Sequence, residues 1–500
     1  MSAWSKVNQR VIDQRSEALP PTWCPRAPSG DGAPVASSGV MRSDASRQAA
    51  NAVCSAIGDA HEIVVAASFL LADEEIQKAL LQAAKKGVRV YLLLATETRL
   101  EKDPPEDSEF EQRALADHKR MLGSLAGWAL IRSAPSFHAK VVLVDPALGG
   151  RGFLLTANLT QEALTRNEEL VVELTSAESK VVFEHVRWAM WESADHELLE
   201  PGRLSAVSGP LKQLPRPGPR DGVVATLGQP GSIRATALDL VRAARHTITI
   251  ASFGWDADHE VVKALCERAK EGLKVTILAR VRPASMPALL ALAQAGSRVF
   301  GYRWLHAKAI AIDEGAALVT SANLQRHGLD SSFELGVVLQ DGRAAALREI
   351  LRGWAATAPW ELRLTALLGE ISGDTQAWFG GKLVPYVITE SAPVDGDTVI
   401  AASADHLESE PPAPKNKFEL PRPAHALDLR WNVEAPRLAP GSKEIKGTFE
   451  KSETPGDPRM FRESNGRLVI AVRTIDELPR AREIAKQVKA AAIVVRESGK

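Results

Sequence analysis

The sequence predicts an α/β protein in which one α/β unit is used twice, followed by a small C-terminal α+β domain. Three observations carry that expectation. A helix-strand-helix-strand layout begins near residue 46 and returns after residue 230. Each copy then closes with the same sparse set of residues, His, Lys, Asp, Asn and Glu, in the same order. Strands alternating with helices also imply largely parallel sheets with helices on both faces. With 45% hydrophobic residues, a chain of 500 can bury sizeable cores and form roughly two to four domains.

Residues 1–45 make an uneven N-terminal extension. MSAWSKVNQRVIDQR is compatible with a short helix, whereas PPTWCPRAPSGDGAPVASSG is rich in Pro, Gly and Ser and is expected to be extended or loosely ordered. No secretory h-region appears, and no apolar run reaches the length of a membrane span. Cys24, Cys54 and Cys266 are odd in number and far apart, which fits neither a disulfide frame nor a zinc site. A cytoplasmic protein without integral membrane association is the expectation.

The first repeat is assigned to residues 46–199. SDASRQAANAVCSAIGDA predicts a helix, HEIVVAASF a buried strand, EEIQKALLQAAKKG an amphipathic helix closed by Gly87, and VRVYLLLA a further strand. After a Pro-rich linker over 200–230, the second repeat, 231–375, gives SIRATALDLVRAARH, TITIASF, EVVKALCERAKEG and LKVTILAR. Ser68-Phe69 matches Ser252-Phe253, and Gly87 matches Gly272. Each repeat ends in a Trp-bearing helix, FEHVRWAMW or LREILRGWA, and these indoles are expected in the core. Residues 376–500 form an accessory domain, acidic and strand-like at first, then mildly basic. RLVIAVR, a helix from Asp476 to Ala491 and AAIVV suggest a closing β-α-β element there. That domain suits either a substrate-selecting or partner-binding module or a solvated appendage.

The chemistry lies in FHAKVVLVDPALGGRGFLLTANLTQEALTRNEEL and its echo, LHAKAIAIDEGAALVTSANLQRHGLDSSFEL. His138, Lys140 and Asp145 correspond to His306, Lys308 and Asp313. Asn158 or Asn323 follows, and Glu169 or Glu334 stands eleven residues beyond that Asn. His and Lys two apart in an apolar strand share one face, so imidazole and ammonium point together. Asp145 and Asp313 open turns, and the hairpin returns Asn158 or Asn323 to the His-x-Lys pair. Attack on a phosphodiester needs a nucleophile, a proton donor and cationic or amide donors around the non-bridging oxygens. Two repeats supply all of these with no metal and no cofactor.

HxK(x)4D followed by a Ser/Thr-x-Asn element resembles the signature of the phospholipase D superfamily, present here twice. The second copy spans 17 residues from His306 to Asn323 and carries Ser321; the first spans 20 and carries Thr156 where Ser is commoner. Its three extra residues fall in the Gly-rich turn, so the hairpin should lengthen and the strands persist. The resemblance covers roughly residues 46–370 and implies two pseudo-symmetric repeats packed about one active site, for which a monomer suffices. It also implies that His138 attacks phosphorus to give a phosphohistidine while His306 protonates the leaving oxygen, although the two roles can be exchanged. Lys140, Lys308, Asn158 and Asn323 would hold phosphate oxygens, and Glu169 and Glu334 would orient the imidazoles. Asp145 and Asp313 are expected to be structural.

The diester is less legible. Absent membrane segments and a C-terminal extension that could hold DNA favour a bacterial nuclease, in DNA defence against viruses or in DNA processing, with DNA ahead of RNA and with protein partners in a multi-subunit system. Aromatic residues are only 5% of the chain, without an interleaved basic platform, which leans towards duplex or backbone binding. The alternatives are a phospholipase D or phosphatidyl transferase on lipid head groups, and a non-catalytic nucleic-acid-binding subunit.

Overall fold

The computed structural model describes residues 18–19, 21–30, 32–95, 108–207, 213–367, 375–379, 381–386, 447–450, 459–463, 468–472 and 492–495. They belong to two units: Ala27–Pro359, and Met1–Arg26 together with Trp360–Lys500.

The first unit contains the first repeat and residues 231–359 of the second. Seven strands of the first are β1 (Val40–Arg42), β2 (Ile63–Ser68), β3 (Arg89–Ala95), β4 (Ala129–Ala134), β5 (Val141–Val144), β6 (Gly152–Leu155) and β7 (Leu170–Leu174). Their counterparts are β8 (Val223–Leu227), β9 (Thr247–Ser252), β10 (Lys274–Arg280), β11 (Arg298–Tyr302), β12 (Ala309–Ile312), β13 (Ala317–Thr320) and β14 (Phe333–Leu339). The spatial orders are β4-β3-β2-β5-β6-β7-β1 and β11-β10-β9-β12-β13-β14-β8, so every strand has its mate seven labels on.

The β2-β3-β4 and β9-β10-β11 pairings are parallel. The rest of both seven-stranded sets is antiparallel. Parallel pairing is thus confined to one half of each sheet. The other half begins where the His-x-Lys segment runs into a hairpin, and hairpins make antiparallel neighbours. Strands β1 and β8 lie upstream of residues 46 and 231, within stretches that the sequence treats as extension and linker. Each is short and flanked by Pro and Gly, which hides its pattern.

Packing follows the two-residue period of a strand. In β2, Val65 and Ala67 enter a cluster containing residues of both repeats, whereas Val64 and Ala66 face a second cluster on the other side. Eight of the helices are α1 (Gln48–Gly58), α2 (Glu74–Lys85), α3 (Ser108–Leu125), α4 (Ser176–Trp188), α5 (Ser232–Ala243), α6 (Glu260–Lys270), α7 (Met286–Gln294) and α8 (Asp341–Thr357). Helix α4 starts in a capping box formed by Thr175 and Glu178, which satisfies two N–H groups at that terminus. Val182 of α4 and Leu347 and Trp354 of α8 belong to the shared core, and Glu178 accepts from Arg343 of α8 at 2.6 Å. Trp354 is therefore a core residue, as its position in the sequence suggests, whereas Trp188 and Trp191, expected in the core of the first repeat, are only half-buried.

In the second unit, Thr22–Pro25 pairs antiparallel with Trp360–Arg363 and Thr375–Phe379, and the latter with Lys382–Tyr386. A separate sheet joins Gly447–Glu450, Arg459–Glu463, Leu468–Val472 and Ala492–Val495, and its last pair is parallel. The connecting helix expected from Asp476 to Ala491 lies outside the described residues, as does the one expected over 1–15. None of Cys24, Cys54 and Cys266 is in a disulfide. No helix among the described residues is long and apolar enough to cross a membrane.

Candidate active site

His138 and Lys140 lie just ahead of β5, and His306 and Lys308 just ahead of β12. Each His segment is stitched to the other repeat. The His138 N–H donates to Phe333 O at 3.0 Å, and the His306 N–H donates to Glu168 O at 3.0 Å. Those carbonyls belong to the residues preceding Glu334 and Glu169, so the carboxylates cross over too. Nδ1 of His138 meets Glu334 Oε1 at 2.8 Å, and Nδ1 of His306 meets Glu169 Oε1 at 2.7 Å. A carboxylate partner makes Nδ1 the donor, which leaves the lone pair of each imidazole on Nε2.

The hydroxyl of the Ser/Thr-x-Asn element completes each relay. Thr156 donates to Glu169 Oε2 at 2.6 Å and accepts from the Leu170 N–H at 2.8 Å. Ser321 donates to Glu334 Oε2 and accepts from the Leu335 N–H. Thr and Ser thus do the same work, and the first motif's departure leaves the geometry unchanged. Ser332 adds a second hydroxyl on Glu334 Oε1 at 3.0 Å.

Lys140 and Lys308 are buried, and each ammonium donates to the carbonyl of its own motif's His. Burial pushes Lys308 down to about 8, against the pull of Glu169 and Glu334. Burial also lowers both imidazoles, with Glu334 and Glu169 opposing it, so that neutral His is favoured. Burial would raise the carboxyls of Glu334 and Glu169, but their histidine and lysine neighbours hold both below the usual range. His138 also feels Lys308, and His306 feels Lys140, so the two motifs form one electrostatic site.

Asn158 and Asn323 stand just beyond β6 and β13, and the buried Oδ1 of each makes no hydrogen bond within the described residues. Asp145 and Asp313 face away from this chemistry. Asp145 accepts from the N–H groups of His61, Glu62 and Ile63, each at 2.8 Å, and Asp313 accepts from those of Arg245, His246 and Thr247 at 2.8–2.9 Å. Each fastens its hairpin to the start of β2 or β9. The longer first hairpin turns through Pro146–Leu148, and a Cβ at Gly150 would lie 2.2 Å from Val144 O, so the turn closes only over glycine. Strands β5 and β6 remain paired.

Sequence reasoning missed two further pairs. Ser68 and Ser252 accept from the Leu159 and Leu324 N–H groups at 3.1 Å, fixing the residue after each Asn. Phe69 and Phe253 set their rings edge-on to His138 and His306, with centroids 5.7 and 5.1 Å apart. The recurrence of Ser-Phe at equivalent strand ends was the available signal. Among the described residues, no group of three or more His, Cys, Asp and Glu could hold a metal ion.

The family described as "Cardiolipin synthase, PLD-like domain" matches residues 53–191 and 238–352. Cardiolipin synthase A of Pseudomonas aeruginosa (strain LESB58) is 27% identical over 316 residues, which cover 58% of this chain and 61% of that protein. Cardiolipin synthase of Geobacillus kaustophilus is 24% identical over 289 residues, covering 53% of this chain and 55% of its own. The chain therefore spans less than two thirds of the length of these relatives. The crystal structure of phosphatidylserine synthase from Haemophilus influenzae superposes with a TM-score of 0.48 at 12% identity, covering 69% of this chain and 91% of that one. The family and cardiolipin synthase matches overturn the expectation of a DNA nuclease, and they lend no support to a nucleic-acid partner or a role in bacterial defence. The physical reason is that the motif residues address a phosphodiester and say nothing of what it esterifies. A missing membrane span was also a poor guide, since a head-group diester lies at the water interface. Because the matched family extends through both repeats, the chain belongs to the phospholipase D superfamily, within the PLD-like domain family described under cardiolipin synthase.

Proposed function

We propose that the protein transfers the phosphatidyl group of a phospholipid from its head-group alcohol to another alcohol, with water as a competing acceptor. The crossed pairing of each His with the other repeat's Glu carries this reading, because it prepares two neutral imidazoles with free Nε2 atoms beside two lysines. The family match supports a lipid as the bearer of the diester.

In the first step Nε2 of His138 attacks phosphorus, the bond to the head-group oxygen breaks, and His306 gives that oxygen its proton. The product is a phosphatidyl-histidine. In the second step an alcohol oxygen attacks the same phosphorus, His306 takes its proton, and the phosphorus–nitrogen bond breaks. The anionic substrate favours the protonated form of one imidazole, which supplies the acid that the first step needs. Lys140, Lys308 and the amides of Asn158 and Asn323 neutralise the non-bridging oxygens as charge grows on them. Glu169 and Glu334 hold tautomer and orientation.

The test is incubation of purified protein with phosphatidylglycerol vesicles in EDTA. Transfer to a second phosphatidylglycerol yields cardiolipin, and transfer to water yields phosphatidic acid. Both products should vanish in His138→Ala and His306→Ala. Lipid left intact by the wild type, or turnover that survives both substitutions, would overturn the reading.

A further inference from the structure

The two halves of the site are alike in backbone and in motif, but not in charge. On the His306 side, the guanidinium carbons of Arg166, Arg303 and Arg280 lie 4.0, 4.9 and 5.3 Å from the ring centroid of Trp304. Arg280 and Arg282 lie 5.1 and 4.3 Å from the centroid of Phe253, the ring set edge-on to His306. Arg280 also contributes to the lowering of Lys308. Four guanidinium groups thus gather on two adjoining rings at the edge of the site.

The first repeat is an internal control for what the fold requires. Strand register matches Ala95 with Arg280, since Ala95 pairs with Ala134 as Arg280 pairs with Tyr302. Counting on from Ala134 and Tyr302 matches Pro135 with Arg303 and Ser136 with Trp304, and counting back from the two glutamates matches Ser331 with Arg166. Groups that the fold needs are duplicated, as with Asp145 and Asp313 or Ser68 and Ser252. None of Arg166, Arg280 and Arg303 has a basic counterpart. Like charges at such spacing repel, and cation–π contacts near a surface return only about 0.5–1 kcal/mol each. The carboxyl of Glu168, the twofold mate of Phe333, feels Arg166 and Arg42, but burial pushes it up to about 7.

We propose that Arg166, Arg280, Arg282 and Arg303, arrayed on Trp304 and Phe253, form an anion subsite that binds a phosphate carried by the alcohol reacting at His306. The subsite makes the twofold site directional and sets its preference among acceptors. It deepens the transferase reading and rests on it for the identity of the reacting alcohol. Arg, with a planar fork of donors, suits oxyanion recognition of this kind.

The experiment uses the full chain and its Arg166→Gln/Arg303→Gln variant, both residues being exposed. With labelled phosphatidylglycerol as donor, glycerol and sn-glycerol 3-phosphate compete as acceptors. The wild type should favour the phosphorylated acceptor, and the variant should lose about tenfold of that kcat/KM ratio, the weight of one charge-assisted hydrogen bond. In parallel, titration calorimetry with inorganic phosphate should count two ions per wild-type chain, one between the histidines and one on the arginine wall, and one per variant chain. A wild type without the preference, a ratio unmoved by the substitutions, or a single phosphate in the wild type would overturn the subsite. Phosphate binding that falls from two to one with no lipid transfer at all would sink the transferase reading and leave the subsite standing.

Discussion

Glu334, from the second repeat, holds Nδ1 of His138, from the first, at 2.8 Å, and Ser321 holds that carboxylate in turn. Neither repeat therefore contains a complete His relay. Docking of the two sheets and assembly of the site are the same event, since the backbone bonds beside each pair also cross between repeats.

The crossing predicts opposite phenotypes for the two glutamates. Glu334 supports the proposed nucleophile and Glu169 the proposed proton carrier. With bis(p-nitrophenyl) phosphate, whose leaving group needs no proton, Glu334→Gln should slow formation of the phosphohistidine about 10- to 100-fold, the usual range for losing a group that orients a reacting one. Glu169→Gln should spare that step and slow breakdown, so that the covalent adduct on His138 accumulates in an intact-mass spectrum. An adduct that builds up in Glu334→Gln instead would exchange the roles of the histidines.

Lys308 gives a pH prediction. Its ammonium is pushed down to about 8 by burial, so the charge that would meet the phosphate is present below that value and is lost as pH rises through it. The kcat/KM for an anionic diester should fall on the alkaline side with a midpoint near pH 8, and the limb in kcat should lie higher, because bound phosphate favours the ammonium. Lys308→Arg keeps its charge throughout and should abolish the limb at some cost in rate. A limb that persists in that variant would belong to another group.

Much of this was legible in the residues themselves. HAK with its Asp, Asn and Glu recurs at nearly fixed spacing, although His138 and Lys140 stand just ahead of β5 and not within the strand whose alternation the sequence suggests. Which Glu serves which His was not legible, because Glu169 and Glu334 stand at equal spacing from their own Asn and only packing of the sheets decides the pairing. The hairpin that starts the antiparallel half of each sheet was legible, but its outermost strands β1 and β8 were not, because they lie among Pro and Gly in stretches read as extension and linker. The arginine wall was invisible for a related reason: Arg166, Arg280, Arg282 and Arg303 are scattered over more than a hundred residues and are brought together by two rings.

Asp313 and Asp145 should matter for stability and not for chemistry. Each would be raised by its partial burial, yet three backbone N–H donors hold it below the usual carboxylate range. Asp313→Asn gives those donors a weaker, neutral acceptor and should cost about 1–2 kcal/mol in urea unfolding, while kcat per folded molecule stays within about threefold. A large fall in kcat at unchanged stability would place the aspartate in the reaction itself.

His118 sets an acid limit on the fold. It lies buried on α3 and accepts the Leu71 N–H at 3.1 Å, and Leu71 pairs with Leu159, the residue after Asn158. Burial pushes its pKa down to about 4. Between pH 6.5 and 4 the unfolded chain therefore binds a proton that the native one refuses, so stability rises with pH across that window and is lost as pH falls. The loss from this one group should reach about 2 kcal/mol at pH 5, and the lowered His138, His185 and His306 add to it with the same sign. Urea unfolding at pH 7 and pH 5 measures the slope. His118→Gln cannot titrate, and it should flatten the slope by about one proton's worth even where it lowers stability at pH 7. An unchanged slope would mean that native His118 takes up its proton near the ordinary value, with the Leu71 N–H released and the Asn158 turn loosened by mild acid.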